Sequence, residues 1–137
     1  MQGTQNMLNS SIPLDAHFCV ESLGDKKVAY LQSAEPLLRS SRDFLDFMGW
    51  AGEQGTNLLL VTDTSFEPAF YDLSTGLAGE IFQKVSNYRQ RIAIIGTFDM
   101  VTSRRFREFM TECNKGRSIG FLPNEAAAFN WLAVEQL

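Results

Sequence analysis

Hydroxyl and glycine residues cluster at one crossing from a strand to a helix. Ser74, Thr75, Gly76 and Gly79 follow an apolar, strand-like run at 57–61 and open a segment of helical periodicity. At such a crossing in α/β proteins, unpaired backbone N–H groups face outward and bind phosphates or other anions. A hydroxyl at this place is a candidate phospho-acceptor, because an added phosphate gains from the N–H groups and the helix dipole. The predicted phospho-acceptor or anion site comprises Ser74, Thr75, Gly76 and Leu77.

The same residues also have a purely structural interpretation. Ser or Thr at a helix start is the usual N-cap, and Gly76 and Gly79 would let the helix pack close to the sheet. The pattern is not a P-loop, because the chain contains no GxxxxGK[ST] motif. Both interpretations stay open at the level of sequence.

Acidic residues surround the same crossing at positions 63, 67, 72 and 80. Carboxylates of this kind could serve a hydrolase or bind Mg²⁺, with Asp72 and Glu80 as the pair to test. Their spacing requires neither, and solvated loop acids are the plainer interpretation. With two aromatic residues and a glycine they form the candidate binding surface: Asp63, Glu67, Phe70, Tyr71, Asp72, Gly79 and Glu80.

Residues for nucleophilic catalysis or metal binding are scarce. His17 is the single histidine, and no Ser/His/Asp or Cys/His arrangement occurs at plausible positions. Cys19 and Cys113 are the two cysteines and form no CxxC motif. We therefore predict reduced thiols, no catalytic residue, no metal and no cofactor.

The charge balance bears on the partner. The formal net charge is −4, which argues against nucleic acid. A local basic cluster exists, but its two groups should lie at opposite ends of one strand: Arg89 and Arg91, then Arg104, Arg105 and Arg107. No apolar run reaches the roughly 18–20 residues of a membrane span, and no signal peptide is recognised. We expect a cytoplasmic protein that binds another protein or a second copy of itself, and neither nucleic acid nor a membrane.

The elements that position these residues alternate along the chain. Of the 137 residues, 1–15 read as a flexible tail and 16–137 as one α/β domain. The order is β-β-α-β-α-β-α-β-α, which predicts a mostly parallel five-stranded sheet with helices on its faces. The first two strands should form an antiparallel hairpin, while the runs at 58–61 and 92–95 should be parallel and interior. The predicted core includes Leu77, Ile81, Phe82, Ile94, Phe106 and Phe109.

Two family resemblances follow from these motifs. The runs FxDLxTGLAGEIxQK at 70–84, NYRxR at 87–91, FREF at 106–109 and NKGR at 114–117 resemble a mainly bacterial family, domain of unknown function 4180. More distantly, LLLV at 58–61 with FYDLSTGL at 70–77 is similar to the STAS domains of anti-sigma-factor antagonists. In those domains an apolar strand precedes an Asp, a phosphorylatable Ser and a Gly-Leu that opens a helix. Here Leu73 separates the Asp from the hydroxyl, and the loop is longer.

The leading functional hypothesis is a non-catalytic interaction or regulatory module of STAS-like type in a bacterial cytoplasm. Its working surface would be the loop at 62–74 and the start of the following helix. The alternative is a protein that binds a small anionic or nucleotide-like ligand at 76–79. A carboxylate-based enzyme that uses Asp72 and Glu80 is the third hypothesis.

Overall fold

The computed structural model describes residues 17–134, and of His17 only the backbone. The predicted tail at 1–15 lies outside this range. One α/β domain contains five strands in a single sheet. The strands are β1 (His17–Leu23), β2 (Lys26–Gln32), β3 (Leu58–Thr62), β4 (Arg91–Ile95) and β5 (Ile119–Leu122).

The strands lie side by side in the order in which they occur along the chain. β1 and β2 pair antiparallel, because the tight turn at Gly24, whose φ is 64°, reverses the chain between them. β2, β3, β4 and β5 pair parallel, as the intervening helices require. The sheet is therefore mixed rather than mostly parallel as predicted. The expectation that β3 and β4 are parallel and interior is confirmed.

Within residues 17–134, four helices connect or follow the strands. They are α1 (Ser41–Glu53), α2 (Leu77–Asn87), α3 (Arg104–Asn114) and α4 (Glu125–Ala133). Three begin at a side-chain cap, in which Ser40, Ser103 and Asn124 accept the N–H of the residue three positions on. α2 differs, because its N-cap is a glycine without a capping side chain.

The two faces of the sheet carry separate hydrophobic clusters. α1, α2 and α3 cover one face, and their side chains pack with residues such as Leu59, Ile92 and Phe121. α4 packs on the other face, where Ala128 and Leu132 join a cluster that includes Tyr30, Leu60 and Ala93. Three successive crossovers to the same side produce this arrangement, as right-handed connections in a sequential strand order require.

Most of the predicted core residues are buried. Ile81, Ile94 and Phe106 have no exposed surface, and Phe82 is 8% exposed. Leu77 and Phe109 are half-buried and pack against the edge of the same cluster. None of the helices within residues 17–134 is both long and apolar enough to cross a membrane.

Candidate functional site

The connection from β3 to α2 carries most of the predicted site residues. It is built from three short 3₁₀ turns, Asp63–Ser65, Pro68–Tyr71 and Leu73–Thr75. Pro68 begins the second turn, where its fixed φ and missing N–H are tolerated. The connection is thus folded, and its two halves differ in exposure.

The first half of the connection contributes to the core. Phe70 is fully buried and stacks on Phe66, with ring centroids 4.0 Å apart. Tyr71 is also buried, and its ring centroid lies 5.3 Å from that of Phe106. The aromatic residues were predicted to form a binding surface, but their burial in the cluster beneath α2 and α3 leaves them no such exposure.

Asp63 is also buried, although it was predicted on the same surface. One carboxylate oxygen, Oδ2, accepts the backbone N–H of Phe98 at 3.0 Å. Its own carbonyl accepts the hydroxyl of Tyr71 at 2.6 Å, and burial is the main cause that raises the pKa of that phenol. Gly96 lies so close that a Cβ there would overlap the carboxylate. Asp63 therefore joins the ends of β3 and β4, a structural role that the sequence did not reveal.

The second half of the connection is exposed and internally bonded. Asp72, Ser74 and Thr75 are all exposed. Oδ1 of Asp72 accepts the backbone N–H of Ser74 at 3.0 Å and its hydroxyl at 2.7 Å. The hydroxyl of Thr75 lies 2.7 Å from the carbonyl of Ala69 and 2.9 Å from that of Asp72, and shares its one proton between these two oxygens. These bonds hold the exposed polar groups in one conformation.

The start of α2 tests whether the hydroxyls cap the helix and whether the glycines let it pack close to the sheet. Gly76 is the N-cap, with φ at 82°, in the left-handed region that glycine enters without strain. Neither Ser74 nor Thr75 is therefore the N-cap, although Thr75 Oγ1 accepts the N–H of Leu77 at 3.3 Å. Gly79 is exposed, and a Cβ added there would meet no atom within 4 Å. Close packing against the sheet does not explain Gly79.

The electrostatics of this turn favour a charged carboxylate. The hydroxyl and then the backbone N–H of Ser74 lower the pKa of Asp72, with a smaller contribution from Arg105. Asp72 is thus ionised at neutral pH. Glu80 is exposed at the start of α2, so a second carboxylate belongs to the same surface.

The basic residues named from the sequence do not converge. Arg91 is buried and bonds to backbone carbonyls. At the start of α3, Arg104 pairs with Glu108 at 3.2 Å, and Arg107 donates to the carbonyl of Val101. The predicted separation into two groups matches these positions.

Surface grooves lie at two places that bear on the site. One of about 740 Å³ lies where β2, β3 and β4 begin, and is lined by residues such as Lys27, Asn57 and Gln90. The other, of about 460 Å³, lies between α1 and α2 and is lined by Ser41, Glu80, Gln83, Lys84 and Asn87. Glu80, in the first turn of α2, lines this second groove. Among residues 17–134, no cluster of three or more His, Cys, Asp or Glu could hold a metal ion.

The strand order bears on ligand binding. Open α/β sheets bind small ligands in the crevice that forms where the strand order reverses direction. The five strands described here follow one another without such a reversal. The fold thus supplies no crevice of that kind beside the turn at 72–76.

Fold and site together define a small α/β domain with a mixed sheet, three helices on one face and an internally hydrogen-bonded polar turn before α2. The chain belongs to the family described as domain of unknown function (DUF4180), whose model matches residues 23–132. Neither the curated proteins nor the solved structures gave a match.

Proposed function

We propose that this chain is a non-catalytic interaction module that binds a protein partner through one exposed surface. The turn–helix surface, as we name it, consists of Asp72, Ser74, Thr75, Gly79 and Glu80. It is smaller than the surface predicted from the sequence, because Asp63, Phe70 and Tyr71 are buried and Glu67 is half-buried.

The observation that carries the proposal is the internal bonding of the exposed turn. Four hydrogen bonds of Ser74 and Thr75 fix polar groups that have no role in the core. A surface that is already ordered loses little conformational entropy when a partner binds. The glycine at 79 leaves the backbone of α2 uncovered beside it, so a partner could approach closely.

The other two hypotheses from the sequence receive less support. An anionic ligand at 76–79 would be repelled by the ionised Asp72 and by Glu80. An enzyme would need a general acid or base whose pKa lies near the working pH, and the pKa of Asp72 is shifted away from neutrality. A protein partner with Lys or Arg side chains agrees better with two exposed carboxylates.

The regulatory part of the proposal concerns Ser74. Its hydroxyl donates only to the exposed Asp72, whereas that of Thr75 bonds to two backbone carbonyls. A phosphate on Ser74 would remove the hydroxyl donor to Asp72 and add about −1.5 to −2 charges beside that carboxylate. Repulsion between the two would break the ordered turn and so release the partner. STAS domains, which this segment resembles, carry a phosphorylatable Ser after an Asp, whereas here Leu73 separates the two residues.

Site-specific photocrosslinking in the organism that encodes the chain tests the surface. A photoreactive phenylalanine analogue replaces Gly79 in one variant and Gly49 in α1 in the other. Both glycines are exposed and helical, and an added Cβ meets no atom within 4 Å at either position. The proposal expects a covalent adduct with a second protein at position 79 and not at position 49.

Adducts of equal yield at both positions, or none at position 79, would contradict the proposal. Asp72→Asn should then weaken capture of the partner that mass spectrometry identifies, because it removes one of the two carboxylates while leaving an oxygen for Ser74.

A further inference from the structure

The two edge strands of the sheet differ in length and protection. β5 has four residues and is followed directly by Pro123. β1 has seven residues and, within residues 17–134, pairs on one side with β2, without a bulge. Natural edge strands are commonly shortened, bulged or marked by Lys or Pro, because their free backbone groups otherwise pair with another chain. The β1 sequence HFCVESL has no Lys, Pro or bulge, and its one charged side chain with described burial is the exposed Glu21.

An exposed apolar side chain lies in the middle of this edge. Val20 is 38% exposed, whereas its neighbour across the hairpin, Ala29, is fully buried. Val20 shares its face of the sheet with Phe18, which packs on Phe47 and Trp50 of α1. A strand added beside β1 would cover this valine and remove apolar surface from water.

We infer that two copies of this chain associate through the outer edges of their β1 strands, antiparallel about a two-fold axis at Val20. This register places Val20 opposite Val20, Cys19 opposite Glu21, and Phe18 opposite Ser22. No two carboxylates lie directly opposite, because the two Glu21 residues are diagonal neighbours two positions apart. An axis at Glu21 would place them directly opposite, which is destabilising. Because each residue finds an acceptable neighbour in its own sequence, a second copy suits this edge, as a closed two-fold contact requires.

An unsatisfied donor lies near the same edge. Trp50 is 1% exposed, and its Nε1–H has no hydrogen-bond partner. Its ring lies 5.5 Å from that of Phe18. In the inferred register, Ser22 of the second copy is opposite Phe18 and brings a hydroxyl to the neighbourhood of this indole.

The first test is the mass of the full-length chain by light scattering during size exclusion, over a wide range of concentration. The wild type should approach twice the mass of one chain as concentration rises. Val20→Lys should remain at the mass of one chain, since it places a charge at the two-fold axis. Val134→Lys is the matched control, because Val134 is 44% exposed and lies outside β1, and it should associate like the wild type.

The second test does not depend on a lysine being tolerated in β1. In a Cys19→Ser, Cys113→Ser background, Val20→Cys should form a disulfide-linked dimer on mild oxidation. Directly opposite Cβ atoms lie about 4.5–5.5 Å apart, close to disulfide geometry. Ser22→Cys should cross-link far less, because its counterpart in the second copy lies four positions away along the strand.

A wild type with the mass of one chain at every concentration would overturn the inference. So would undiminished association of a folded Val20→Lys chain, or equal cross-linking at positions 20 and 22. β1 does not include any residue of the turn–helix surface, so these outcomes are independent of the proposed function.

Discussion

The guanidinium group of Arg91 lies over the ring of Trp131, with Cζ 4.8 Å from the ring centroid. Its nitrogens donate to the carbonyls of Trp131, Leu132 and Val134 at 3.1, 3.2 and 2.8 Å. A further bond of 2.7 Å reaches the carbonyl of Arg117. The last carbonyls of a helix have no partner within it, so the first residue of β4 supplies donors to the end of α4 and ties that helix to the sheet.

Replacing Arg91 by Lys should destabilise the fold. A lysine has one nitrogen and cannot serve four carbonyls in these directions. We expect a loss of roughly 2–4 kcal/mol in the free energy of unfolding, because buried acceptors lose charged donors. Urea denaturation followed by circular dichroism measures this loss. The control Arg104→Lys alters an exposed pair with Glu108 and should cost less than about 0.5 kcal/mol; equal costs would refute the role of Arg91.

Gly96→Ala should be among the most damaging small substitutions. The φ of Gly96 is 154°, and an added Cβ would overlap the carboxylate of Asp63. We expect a loss of at least about 3 kcal/mol from backbone strain and overpacking together. Gly79→Ala should instead be neutral or stabilising by up to about 1 kcal/mol, since its position is helical and open. Thermal or urea unfolding of both variants measures these changes, and a tolerated Gly96→Ala would show that Gly96 and Asp63 are not in close contact.

Phe70→Ala distinguishes a core residue from a surface residue. The ring of Phe70 contacts those of Phe66, Phe82 and Phe106, with centroids 4.0, 5.4 and 5.9 Å away. Its removal should cost roughly 3–5 kcal/mol, as for other buried aromatic residues. Tyr88→Ala, at a residue 57% exposed, should change stability little. If Phe70→Ala keeps wild-type stability, the aromatic residue belongs to a surface after all.

The two cysteines should make the fold less stable at alkaline pH. Burial raises the pKa of Cys113 from 9.0 to about 11. Burial, followed by the hydrogen bond to Glu21, raises that of Cys19 to a similar value. Between pH 9 and about 11 the folded chain keeps the two thiol protons, whereas the unfolded chain releases them. The stability that the protonated thiols contribute is therefore full below pH 9 and is lost as the pH rises through about 11.

Denaturation midpoints on both sides of this interval measure the loss. The double variant Cys19→Ser, Cys113→Ser should lose less stability over the same interval than the wild type. An identical decline would assign the effect to other groups, such as Tyr30, whose pKa is raised by burial and by its bond to Glu125.

Ser74→Ala and Ser74→Asp should leave the fold intact. The hydroxyl bonds only to exposed Asp72, and the N-cap of α2 is Gly76, so each change should be within about 0.5 kcal/mol. Asn124→Ala removes a side chain that caps α4 through the N–H of Ala127 at 2.9 Å, and should cost about 0.5–2 kcal/mol. Comparable losses for Ser74→Ala and Asn124→Ala would restore the capping interpretation of Ser74.

The sequence was sufficient for the elements and for most of their packing faces. The runs at 58–61 and 92–95 are continuous and apolar, and both became interior strands. Ser103 and Asn124 precede helical periodicity and cap α3 and α4. These signals are local, because a cap bonds to an N–H three residues away and a helical face repeats every three or four residues.

The roles of Asp63 and Arg91 were beyond such reasoning. Asp63 and Phe98 are 35 residues apart in the chain, and Arg91 and Leu132 are 41 apart. Each contact depends on which strand lies beside which, and neither leaves a periodic trace. The burial of Phe70 was missed for a similar reason: its segment is short and irregular, and the rings that enclose it come from α2, α3 and the loop itself. Gly96 directly after β4 was the one signal that could have indicated a close approach there.

The sequential strand order allows the sheet to be assembled in the direction of synthesis. Each new strand pairs beside the one that left the ribosome before it, so none has to insert between two strands that are already joined. Because neighbouring strands are also close in sequence, the chain segments that must close between them are short, which favours faster folding. α4 emerges after the five strands. The side chain of Arg91 therefore lacks three of its four carbonyl acceptors until α4 has been synthesised.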